Sequence, residues 1–178
     1  MCFVLYIATT KPLPIVPWDE QTRGIHTESL SDRDSSVRAH FLRPNICYIG
    51  SDTHCGCGFR NASYQNGSWP EEEWRPEDDT SHLEAQPNHD RLVEFVRRYL
   101  PGERSFELYG MWEADVSAPA LSDQTIPMER LLALDFYFRD RGHYTVEVRN
   151  GEPGAALNGG QAASVARANP PDGPPPVG

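Results

Sequence analysis

Residues 50 to 59 read Gly-Ser-Asp-Thr-His-Cys-Gly-Cys-Gly-Phe, which places His54, Cys55 and Cys57, with two of the chain's four cysteines, within four positions. Thiolate sulfur and imidazole nitrogen are the donors that zinc or another thiophilic metal takes. The spacing supplies only half of such a site. Zinc knuckles usually set two residues between their cysteines, so that both sulfurs turn inward, and no second cysteine pair follows here.

A fourth donor has to come from elsewhere in the fold. If the strand that starts at Cys2 runs antiparallel to the one that ends at Gly50, Cys2 arrives at the end of the sheet that carries the loop. Cys47 is a poorer candidate. It lies three residues before Gly50, roughly 10 Å away at strand rise, in an apolar run where a thiol serves as a small hydrophobe. His82 and His89 are more distant candidates.

Two other readings fit the same residues. A reactive cysteine needs a thiolate-favouring surround, and Gly56 and Gly58 let backbone amides converge on an anion. Alternatively, Gly-Cys-Gly is a packed turn in which cysteine contributes volume alone. Ser51, Asp52 and His54 have the types of a hydrolytic triad, but neighbours on one loop do not present triad geometry, and no G-x-S-x-G elbow occurs. Glu113 and Asp115 form a carboxylate pair that reads as a solvated strand end. His40 and His143 read as structural, and Asn158-Gly159-Gly160 has no strand before it to make a phosphate loop.

The elements that must hold this loop are legible in the pattern. Strands are expected over Cys2 to Thr9, Ile46 to Ser51, Ser105 to Trp112, Leu132 to Phe138 and His143 to Arg149, all rich in β-branched and aromatic residues. The last two read as a hairpin turning at Arg139-Asp140-Arg141-Gly142, with glycine at the position that needs positive φ. A helix is expected from Asn88 to Leu100, with Leu92, Val93, Val96 and Tyr99 on one face, Asn88 as cap and Pro101-Gly102 as stop. A shorter helix is expected from Ser31 to Phe41. The fold class is therefore α+β: one domain over residues 1–150, a mixed or mainly antiparallel sheet of about five strands, and helices on one face.

Residues 60–87 read as a long acidic loop, with Glu71-Glu72-Glu73 and Glu77-Asp78-Asp79 around Trp74. From Gly151 to Gly178, 18 of 28 residues are Gly, Pro or Ala, and the segment reads as a disordered tail. The formal charge of −10, from 26 acidic against 16 basic residues, disfavours nucleic acid and anionic membranes as partners. It admits a different function, that of an acidic inhibitor or immunity-type protein that binds a basic protein through Trp74, Glu72, Glu73 and Asp78. A structural domain without a chemical site is the remaining alternative. The apolar start, Phe3 to Ala8, precedes the first cation, Lys11, and so reads as a strand and not as a secretory signal. With no signal, reduced thiols and a cytoplasmic setting are expected, and the sequons at Asn61 and Asn66 carry no meaning.

Overall fold

The computed structural model describes residues 2–32, 34–62, 81–112 and 117–148. Six strands form one mixed sheet: β1 (Phe3–Thr9), β2 (His26–Ser29), β3 (Asn45–Gly50), β5 (Ser105–Trp112), β6 (Ser122–Pro127) and β8 (Gly142–Glu147), in the order β2-β3-β1-β5-β8-β6. Every pairing is antiparallel except β6 with β8. A second, two-stranded sheet joins β4 (Asn61–Ala62) to β7 (Phe138–Arg139) in parallel. The helices are α1 (Ser81–Glu84) and α2 (Gln86–Tyr99). Among the described residues no helix is long and apolar enough to cross a membrane.

Alternation along the strands decides where the core sits. Phe3, Leu5 and Ile7 of β1, Phe106 and Leu108 of β5, and Tyr144 and Val146 of β8 pack in one cluster with Leu92, Val93 and Val96 of α2. Each such side chain contributes about 1.5–3 kcal/mol when fully buried, so the apolar stripe of α2 is what fixes the helix to the sheet. The opposite face carries a smaller cluster of Tyr6, Val37, Tyr109 and Met111.

The α+β class holds, and the differences lie in local chemistry. The sheet has six strands where about five are expected, because the short β2 and the half-polar β6 escape the pattern. The stretch from Ser31 to Phe41 makes a 3₁₀ turn at Ser35–His40 in place of an α-helix, with Ser31 Oγ accepting the Asp34 amide at 3.3 Å. Helix α2 starts at Gln86, so Asn88 is a buried interior residue and not its cap, and Pro87 stands in the first turn where no amide is needed.

Leu132 to Phe138 does not form the expected hairpin strand. Met128–Leu132 is a 3₁₀ turn, and the buried Arg60 guanidinium donates to the carbonyls of Leu131, Ala133 and Phe136 at 3.3, 3.0 and 2.7 Å. Those acceptors are therefore not spent on a ladder. In the following turn Arg141, not Gly142, takes positive φ, at 52°. In β8, Tyr144 and Val146 are buried while Glu147 is exposed. Of the expected acidic loop, β4 and α1 are structured; Glu72, Glu73, Trp74 and Asp78 lie outside the described residues, as do Glu113, Asp115 and the tail 151–178.

Candidate metal centre

The register of the sheet brings the two ends of the site together. Tyr6 of β1 pairs with Tyr48 of β3, and Ile7 with Cys47, so the chain before Phe3 lies beside the loop that leaves Gly50. The sulfurs of Cys2, Cys55 and Cys57 lie within 4.8 Å of one another. Cys2 and Cys57 are exposed and Cys55 is half-buried.

Backbone groups orient two of the sulfurs. Cys55 is extended at the start of a 3₁₀ turn over Gly56–Gly58, and its Sγ accepts the Cys57 amide at 3.3 Å. The Cys57 sulfur accepts the amide of Phe3 at 3.2 Å, which ties the loop to the first strand. Amide donors of this kind stabilise negative charge on sulfur. Gly56 sits where a Cβ would come within 2.7 Å of the Phe3 carbonyl oxygen, so only glycine lets the loop lie this close to β1.

The thiols titrate differently as a result. At Cys55 partial burial opposes ionisation, yet hydrogen bonds from Cys57, Thr53 and Cys2 outweigh it and hold the thiol below its ordinary value. Cys57 is pushed up to about 11, first by burial and then by the neighbouring Cys55. Cys47 is buried in the main cluster, and burial pushes its thiol up to about 12.

The loop is anchored from behind by α2. Asn88 donates through Nδ2 to Asp52 Oδ1 at 2.8 Å and to the Gly58 carbonyl at 2.9 Å, and so spans both ends of the cysteine stretch. Ser51 Oγ donates to the Cys55 carbonyl at 2.6 Å and accepts the Gly58 amide at 3.2 Å. Next to Asn88, His89 is fully buried: Nδ1 donates to the Leu131 carbonyl at 2.8 Å and Nε2 accepts the Arg60 amide at 3.1 Å. Both nitrogens are committed to the core, so His89 is not a ligand. Burial, and then the Arg60 charge, lowers its pKa to about 3. The side chain of His82 lies outside the described residues.

His54 goes elsewhere. Its backbone has φ 67°, and its ring joins His26 and Glu28 of β2 in a second group whose donor atoms also lie within 4.8 Å of one another. Sequence reasoning missed His26 and Glu28. The signal was a His-x-Glu pair at strand spacing, hidden in a four-residue strand. Ser51, Asp52 and His54 do not converge as a triad: Ser51 serves the loop backbone, Asp52 meets Asn88 and Arg91, and His54 meets Glu28. His40 stacks on Tyr109 and His143 bonds Asp123, both in structural settings.

Comparison of the chain with protein-family models, curated proteins and solved structures finds no match. Function therefore rests on geometry: among the described residues there are two donor groups, each close enough to hold a metal ion.

Proposed function

We propose that this is a small metal-binding protein in which Cys2, Cys55 and Cys57 hold a thiophilic ion, with zinc or copper(I) the fitting class. The observation that carries the reading is the convergence of three sulfurs from segments more than fifty residues apart. Packing alone gives no reason for three thiols, two of them exposed, to meet. Three thiolates select soft or borderline metals over magnesium or calcium, and they leave a fourth tetrahedral position for water or an exogenous ligand. Ideal zinc–sulfur bonds of about 2.3 Å put neighbouring sulfurs about 3.8 Å apart, inside the 4.8 Å within which the three sulfurs lie.

The test is anaerobic titration of the reduced chain with cobalt(II) and zinc. Uptake with an intense sulfur-to-cobalt charge-transfer band is expected, reduced at least tenfold in affinity by serine at any of the three positions. Absence of that band, with all three thiols still open to alkylation in excess zinc, overturns the reading.

One observation favours a second reading, a reactive thiol at Cys55. Its sulfur accepts the Cys57 amide and lies 3.6 Å from Thr53 Oγ1, a surround that favours thiolate. Alkylation of metal-free protein at neutral pH, mapped by mass spectrometry, separates the two: this reading requires Cys55 to react faster than a free cysteine.

A further inference from the structure

We infer that His26, Glu28 and His54 form a second cation site, separate from the cysteines and suited to a borderline divalent ion such as zinc, cobalt(II), nickel(II) or iron(II). The site requires no thiol. Its donors are two imidazoles and one carboxylate, the set that binds such ions while leaving positions open to water or an anionic ligand.

The distances support it. Glu28 Oε1 lies 3.8 Å from His26 Nε2 and 3.8 Å from His54 Nε2. Ligand atoms about 2.1 Å from a tetrahedral metal are about 3.4 Å apart, so small side-chain movements close the site. The backbone already has the right form: His26 and Glu28 are two apart on β2, hence on one face, and face Gly50 and Tyr48 of β3. His54 follows from the same loop on the same edge.

His26 supplies an independent observation. It is 1% exposed, and neither ring nitrogen has a partner of good hydrogen-bond geometry among the described residues, the backbone of Gly24 and Ser51 making only the smallest of the interactions that act on the ring. Burying an imidazole without partners is costly, and an ion at Nε2 removes that cost there. The ring occupies the space a Cβ at Gly50 would need, so β3 is shaped to receive it. Trp18 packs on His54 with ring centroids 4.6 Å apart, and its buried indole N–H also lacks a partner among the described residues.

Tyr48 stands between the groups. Its ring lies 5.8 Å from that of His26, while its hydroxyl reaches the His54 carbonyl at 3.5 Å. Glu28 of one donor group and Cys55 and Cys57 of the other thus all act on Tyr48.

The experiment measures cobalt(II) stoichiometry by equilibrium dialysis and absorption, using the reduced full chain and a variant with Cys2→Ser, Cys55→Ser and Cys57→Ser together. The serine variant is expected to keep one equivalent, with no sulfur-to-cobalt band. Adding Glu28→Gln and His54→Gly, both at exposed positions and the latter suited to positive φ, should weaken that binding at least tenfold. Circular dichroism confirms that each variant folds. If wild type also takes one equivalent without the band, the cysteine reading fails and this one stands. If the folded serine variant takes less than about a tenth of an equivalent at cobalt concentrations that saturate ordinary protein sites, or if Glu28→Gln with His54→Gly leaves its uptake unchanged, the second site is overturned.

Discussion

His54 and Cys55 share one peptide bond, yet their side chains serve different donor groups: His54 meets Glu28 at the sheet edge while Cys55 meets Cys2 and Cys57 beside β1. The left-handed backbone at His54, φ 67°, followed by extended Cys55, φ −142°, produces the divergence. Two adjacent residues can therefore be tested as parts of two sites.

The anchor in α2 should matter to the cysteine group without touching it. Asn88→Ala removes hydrogen bonds to Asp52 and Gly58 at the two ends of the loop. A stability loss of about 1–3 kcal/mol is expected by urea denaturation, with zinc affinity at the cysteines about tenfold weaker. Unchanged affinity would show that the loop holds its shape without α2.

Gly56→Ala should act from the other side. A Cβ at that position meets the Phe3 carbonyl oxygen at 2.7 Å and the Phe3 ring at 3.1 Å, and backbone oxygen cannot rotate away. About 1–3 kcal/mol of overpacking strain is expected in chemical denaturation. The strain separates loop from strand, so the sulfur-to-cobalt band should weaken in the folded variant.

Acid should destabilise the fold through His89. Its folded pKa of about 3 lies below the ordinary value of 6.5, so the unfolded chain binds a proton that the folded chain refuses. Its stabilising effect is complete above about 6.5 and declines as pH falls from there toward about 3, at about 1.4 kcal/mol per pH unit. Denaturant midpoints measured between pH 7 and pH 4 should show this slope, and His89→Gln should flatten it.

Arg141 is a site for stabilisation remote from both groups. It holds φ 52° in the turn before β8, a region that costs a non-glycine residue about 1 kcal/mol. Arg141→Gly relieves this against the greater entropy of the unfolded glycine chain, leaving a net gain of about 0.5 kcal/mol. A small rise in the denaturant midpoint, with metal uptake unchanged, is the expected result.

What the sequence made legible follows from range. The 3.6-residue stripe of α2 and the β-branched and aromatic runs of β1, β5 and β8 are local signals backed by burial, and they emerge where expected. Cys2 could be placed beside the loop because an antiparallel β1–β3 pairing follows from few topological choices. His26 and Glu28 could not, since a four-residue strand at the edge has too short a period to read. The misreading of Leu132 to Phe138 has a similar origin: its backbone carbonyls are claimed by Arg60, more than seventy residues earlier. Asn88 shows a third kind of miss. A residue with the chemistry of a cap is used as a tether, because a buried side chain aimed at a loop gains two bonds there.

Cys47 differs from the other three cysteines in a way that outlasts any question of metals. Its thiol lies within the sheet core with its ionisation pushed up to about 12, so a labelling reagent reaches it only when β3 comes away from its neighbours. The chain thus carries its own clock for breathing of the sheet: the lag between modification of the three clustered sulfurs and modification of Cys47 counts opening events, in the same tube and on the same molecule.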